Sequence, residues 1–306
     1  MNTKHLAALI ACITLSTISQ SARAGGEMAL TFDDLPAHGP VPHGISRTLL
    51  MQQIVDALER AKVPPTYGFI NSTALETGVD SLDALQVWRS AGWPLANHTY
   101  SHMDLHANPF EAFRADVIAN EAALERLMED EDWRWFRYPY LREGDTEEKR
   151  NAVRELLRER GYRIAQVTID FQDWAYNEPY VRCLEKRDAE SISELQQSYL
   201  QRAAQNIDAS EQAARRLYGR NIKHVMLLHV GALQPTVLPQ LLSLIEQRGY
   251  KIVALEAAQS DPAYSIDPGV PLPYGTNLLT QMAFAVQQPG VPYVQAEVDS
   301  IQQMCR

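Results

Sequence analysis

The chain has 306 residues, 45% hydrophobic and 22% charged, with 15 Gly and 17 Pro, an ordinary globular composition that is neither fibrous nor low-complexity. A formal charge of −10 disfavours nucleic acid or an anionic membrane as the main partner. No apolar run reaches the roughly 20 residues of a transmembrane helix, which leaves one large or two small domains, long enough to bury a sizeable core.

Residues 1–24 read as a signal peptide. Lys4 gives a basic start, Leu6 to Ile18 an apolar stretch, and Ala22-Arg23-Ala24 the small residues a signal peptidase inspects. This predicts export to a periplasm or outside the cell, with cleavage near Ala24. Leu9-Ile10-Ala11-Cys12 looks like a lipoprotein box, but the apolar run before Cys12 is too short for one. The mature chain would keep Cys183 and Cys305. In an oxidising compartment they are expected to pair and pin the C-terminal tail, with two buried free thiols as the alternative. Without a CxxC they do not suggest a zinc knuckle.

From residue 27 onward, β-rich runs alternate with amphipathic stretches. Met28-Ala-Leu-Thr-Phe32 predicts a strand, and apolar residues at 45, 49, 50, 54, 55 and 58 predict a helix over 45–62. A second strand at 66–70, a helix near 81–91 and a short strand at 92–96 follow. Asn108-Pro109-Phe110-Glu111 predicts a helix start with an Asn cap, opening a helix that carries Phe110, Phe113, Val117, Leu124 and Leu127. Further strands are expected at 133–137, 162–169, 224–228 and 250–255. Helices are expected at 145–160, across most of 188–218, and at 235–248, with Gly161 and Gly249 closing two of them. Such a βα series means a parallel sheet, either a closed barrel or a doubly wound sheet. The tail from Asp261, with Pro262, Pro268, Pro271 and Pro273, is expected to wrap the outside.

Polar residues gather where the strands stop: Asp33-Asp34, His98 to His102, Arg137 to Tyr140, Asp170 to Trp174, and His229. In a parallel barrel these ends meet on the C-terminal face, where barrel active sites lie. Taken singly, paired aspartates suit a turn, Arg137 a surface ion pair and His229 a core histidine. The His98-x3-His102 spacing would put both imidazoles on one face of a helical turn. Two imidazoles and a carboxylate make a three-ligand site for a zinc-like ion, with base, acid and arginine to spare. His38, His43 and His106 read as loop residues rather than ligands.

At these residues the chain resembles the polysaccharide deacetylases of the NodB-homology type, carbohydrate esterase family 4. Thr31-Phe32-Asp33-Asp34 matches TFDD, Asn97-His98 to His102 matches the Asn-preceded HxxxH, and Arg137 to Tyr140 matches RxPY. Asp170 to Trp174 matches DxxDW, and Leu227 to His229 matches LxH. The resemblance implies an α/β fold, a distorted (β/α) barrel with about seven parallel strands. It would span 25–260, with a helical insertion at about 178–222 and a proline-rich extension over 261–306. It implies Asp34, His98 and His102 as ligands of a divalent metal, zinc first, with cobalt, manganese or nickel as alternatives. Asp33 would be the base toward the attacking water, held by Arg137. The Tyr140 backbone N–H would stabilise the oxyanion, His229 oriented by Asp173 would be the acid, and Trp174 with Leu227 would wall the acetyl pocket. Where many members read TFDDGP, this chain has Leu35 after the aspartates, which is expected to add bulk beside the base. The implied function is an exported deacetylase acting on N-acetyl or O-acetyl groups of a glycan or amino sugar. A hydrolase of a small amide or cyclic imide, and a non-catalytic glycan-binding protein, are the alternatives.

Overall fold

Strand β1 (Glu27–Leu35) forms where Met28-Ala-Leu-Thr-Phe32 predicts it and runs on through both aspartates. It belongs to a computed structural model that describes residues 25–306; the signal-peptide reading over 1–24 lies outside the described residues. Helix α1 (Arg47–Arg60) follows, started by the Ser46 hydroxyl accepting from the Leu49 N–H and burying Leu50, Met51, Ile54, Val55 and Leu58. Next come β2 (Tyr67–Ile70), α2 (Ala74–Thr77), α3 (Ser81–Ser90) and β3 (Leu95–Asn97).

The stretch expected to be one helix from Asn108 is two, α4 (Phe110–Ala119) and α5 (Glu121–Met128). They meet at Asn120, which is fully buried. Its amide donates to the Ile70 carbonyl and to Asn97 Oδ1, and its oxygen accepts from the Ser72 N–H. Those bonds draw the junction against the sheet. Asn108 is not the cap, because its amide donates to the Asp104 carbonyl and Pro109 takes the capping position.

The chain continues through β4 (Trp135–Phe136), α6 (Glu147–Glu159), β5 (Arg163–Ile164), α7 (Asn177–Lys186) and the 30-residue α8 (Ala189–Tyr218). Then come β6 (His224–His229), α9 (Gln234–Gln247) and β7 (Lys251–Ile252). The tail carries α10 (Leu255–Gln259), α11 (Leu278–Ala285) and α12 (Gln295–Gln303). Its end is tied back by a disulfide between Cys183 and Cys305, 122 positions apart.

All pairings among the seven strands are parallel, in the order β5-β4-β3-β2-β1-β6 with β7 also on β1. The segment after β5 curls the sheet on itself. Arg163 and Ile164 pair with β4, while Ile169, a few residues on, bridges to Met226 of β6. This is the distorted (β/α) barrel expected from the motifs.

Alternation along the strands sorts the core in two. Met28, Leu30 and Phe32 point outward into the large cluster beneath the helices, whereas Ala29, Tyr67, Phe69, Ala96, Trp135, Ala165 and Val225 pack together in a smaller inner cluster, closed by Leu255 and Ala258 of α10. Because side chains alternate with a period of two, the next inward positions toward the C-terminal ends are Thr31 and Asp33, His98, Arg137, and Leu227 and His229. The chemistry thus grows out of the barrel interior.

Candidate active site

Asp33 sits 2% exposed at the top of the inner face of β1. A carboxylate so deep needs a partner, and Arg137 supplies it, with Nη1 donating to both oxygens at 3.1 and 3.2 Å. The guanidinium is itself fixed: Nε donates to the Ala165 carbonyl at 2.6 Å, Nη2 donates to Thr31 Oγ1 at 3.1 Å, and the Phe69 ring lies beneath it at 4.6 Å. Arg137 is therefore a buried structural clamp on Asp33, not a surface ion pair.

Asp34 turns the other way. Its φ of 62° is left-handed, and the carboxylate swings onto the rim. His98 Nε2 and His102 Nε2 lie 3.4 and 3.3 Å from its Oδ1. Among the described residues this buried oxygen has no hydrogen-bond donor. Burial opposes charge on Asp34, but the hydrogen bond from His38 and the imidazoles of His98 and His102 outweigh it, holding the carboxyl well below the usual range. His98 donates from Nδ1 to the Arg137 carbonyl at 2.8 Å. A carbonyl can only accept, so Nδ1 carries a proton and Nε2 is the ring atom turned toward Asp34. Burial pushes the His102 imidazolium down to about 4 against the pull of Asp34, so that ring is neutral near pH 7.

The two rings stand 4.9 Å apart, but no helical turn joins them. The 98–102 segment is irregular, with Thr99 and His102 both left-handed at φ 64° and 57°. It is held by the Asn97 side chain accepting from the Thr99 N–H, and by Thr99 Oγ1 accepting from the Met103 N–H. Tyr140 is left-handed too, at φ 57°, and its ring lies edge-on to His102 at 4.4 Å. Left-handed non-glycine residues gathered on one rim are the local strain that functional sites concentrate.

On the opposite side His229 ends β6, and its Nδ1 donates to Asp173 Oδ1 at 2.7 Å. Burial alone would discharge His229, but the Asp173 carboxylate outweighs it and raises the imidazolium to about 9. Leu227 is buried on the inner face of β6, and Trp174 is half-buried on the turn beside Asp173.

Two loop readings change. Leu35 does not narrow the cleft: it is 1% exposed and packs outward in the large core against Gly68 of β2, where a Cβ would meet its Cδ2 at 2.3 Å. His38 does reach the site, donating from Nδ1 to Asp34 Oδ2 at 2.6 Å. Its position four residues after Asp34, on the same post-strand segment, was the available signal. His43 stays exposed, and His106 accepts the Gly144 N–H.

A buried carboxylate oxygen without a donor, facing the Nε2 atoms of two imidazoles, is the donor set a divalent ion takes. Asp34, His98 and His102 therefore fit such an ion. Fold and rim place the chain among (β/α)-barrel proteins with a carboxylate–imidazole site at the C-terminal strand ends. Residues 21–165 match the family model for polysaccharide deacetylase, so this part of the chain is similar to that family. The match ends before Asp170–Trp174 and Leu227–His229, which the fold carries to the same rim.

A chitin deacetylase of Arthroderma benhamiae is 24% identical over 167 residues, 55% of this chain and only 40% of that protein's length. Among solved structures, the chitin deacetylase of Colletotrichum lindemuthianum superposes with a TM-score of 0.54 at 21% identity, covering 78% of this chain and 88% of that one. BA3943 of Bacillus anthracis, a CE4 family pseudoenzyme, superposes with a TM-score of 0.52 at 16% identity, covering 77% and 66%. Such identities speak for the fold alone.

Proposed function

We propose that the chain is an exported, metal-dependent deacetylase that hydrolyses an N-acetyl or O-acetyl group on a glycan or amino sugar. The observation that carries the reading is the unpartnered Oδ1 of Asp34, facing the Nε2 atoms of His98 and His102 beside a separately clamped Asp33. Asp34, His98 and His102 hold the ion, zinc by preference. When bound, it supplies Lewis acidity toward water and the acetyl carbonyl. Asp33, kept in place by Arg137, takes the proton of the attacking water. The Tyr140 backbone N–H donates to the developing oxyanion. His229, oriented by Asp173, protonates the leaving nitrogen or oxygen. Trp174 and Leu227 flank the acetyl methyl.

We extend the reading to organisation: a signal peptide over 1–24, a barrel over 25–260 with helices inserted at about 178–222, and a C-terminal extension over 261–306. The outward turn of Leu35 into the large core removes the bulk beside Asp33 that favoured a small amide or cyclic imide. A glycan-binding protein without catalysis would have no need of the Arg137–Asp33 clamp.

The test is acetate release from chitooligosaccharides, peptidoglycan fragments and acetylated xylan, with metal content measured alongside. Release from at least one substrate, abolished by chelation and restored by zinc or cobalt, is expected. Full activity in metal-free protein, or no acetate from any acetylated glycan by metal-loaded protein, would overturn the proposal.

A further inference from the structure

We infer that His38 is a positioning residue of the metal centre, holding one oxygen of Asp34 so that the other is left for the ion. The inference rests on the proposed reading in that Asp34 is taken as a metal ligand. It adds a residue outside every motif by which the chain resembles its family.

The geometry divides the Asp34 carboxylate in two. Oδ2 accepts from His38 Nδ1 at 2.6 Å, and Oδ1 faces the Nε2 atoms of His98 and His102 at 3.4 and 3.3 Å. A carboxylate can only accept, so His38 Nδ1 carries the proton in this contact. A free carboxylate can rotate and offer either oxygen, or both. One already engaged through Oδ2 presents Oδ1 alone, in one orientation.

The loop bearing His38 is built to hold this pose. The His38 N–H donates to the Val230 carbonyl at 2.6 Å, just past His229. The Asn177 amide donates to the His38 carbonyl at 2.6 Å and to the Pro40 carbonyl at 3.0 Å. The other end of the Asn177 amide accepts the Ala232 N–H. The loop is thus tied both to the end of β6 and to the start of α7. The His38 ring lies 4.9 Å from that of His229. Asp34, His38 and His229 could together be mistaken for a second ligand set. We assign His38 the donor role instead because it engages Oδ2, whereas the unpartnered oxygen of Asp34 is Oδ1, which faces His98 and His102.

The experiment measures zinc and cobalt affinity by competition with a chromophoric chelator, without substrate, on the full mature chain. His38→Ala should bind about 10- to 100-fold more weakly, the usual effect of losing a partner of a metal ligand. His38→Asn can place an amide N–H near the Nδ1 position and should restore most of the affinity. His38→Phe keeps the ring packing without a donor and should resemble His38→Ala, which also serves if the alanine variant does not fold. Metal-free melting temperatures of folded variants should stay close to wild type, as a merely structural role would not allow. Unchanged affinity in His38→Ala and His38→Phe overturns the inference while leaving the proposed function standing. An Asn variant as weak as Ala overturns the donor role. Failure of the wild-type chain to bind either metal overturns both.

Discussion

Asp173 and His229 meet twice across 56 residues of sequence: one carboxylate oxygen accepts the imidazole Nδ1–H at 2.7 Å, and the other accepts the His229 backbone N–H at 2.8 Å. The double contact fixes the ring and leaves Nε2 as the proton-bearing atom toward the cleft. With the imidazolium raised to about 9, the acid form predominates through neutral pH and is lost as pH rises through about 9. The deacetylation rate should therefore have its alkaline limb there. Asp173→Asn removes the charge that opposes burial, so the limb should move to lower pH. A pH–rate profile of both proteins checks this, and an unmoved limb would break the assigned pairing.

Asp33→Asn should lower the rate on the order of 10²- to 10⁴-fold, the usual range for losing a general base. Its metal content should stay the same, because Asp34, His98 and His102 are untouched. His98→Ala should instead lose the metal. Metal analysis beside kinetics separates the two roles; a fully active Asp33→Asn protein would place the base elsewhere.

Arg137→Met leaves Asp33 as a buried carboxylate without its cation. Breaking such a pair costs about 3–5 kcal/mol. Both side chains are nearly inaccessible, at 1% and 3%, so screening by solvent offers little relief. Urea unfolding should show a lower midpoint at pH 7. The double variant Arg137→Met/Asp33→Leu should recover much of the loss, since the stranded charge is then gone.

His224 provides a stability signal far from the rim. Burial lowers its imidazolium to about 4, and the neutral ring is hydrogen-bonded to Thr168 and Asn221. An unfolded histidine titrates at about 6.5. Below that value the unfolded chain takes up a proton that the folded ring refuses. Its contribution is therefore intact above about pH 6.5 and falls by about 1.4 kcal/mol per pH unit down toward pH 4. In chelator-treated protein, His224→Gln should flatten this part of the acid loss. Equal slopes for variant and wild type would refute the assignment.

The Cys183–Cys305 bond closes a loop of 122 positions. On the chain-entropy model it stabilises by up to about 5 kcal/mol, often less in practice. Cys305→Ser should lower the melting temperature and expose α12 to proteolysis first. Mass mapping of unreduced peptides from protein made in an oxidising compartment should recover the joined pair, and two free thiols would refute it.

By itself, the sequence determined the βα alternation, the approximate element bounds and the five strand-end motifs, because periodicity and turn residues are local. Only the tertiary structure decided what depends on distant partners. Asn120 splits a continuous apolar pattern because it bonds to β2 and β3. Leu35 turns outward because Gly68 on the neighbouring strand leaves room for it. His38 joins Asp34 because its loop is tied to Val230 and Asn177, at the far end of the chain's path around the barrel. No pattern within a few residues of these positions encodes such contacts, since the groups that settle them approach only when the sheet has curled.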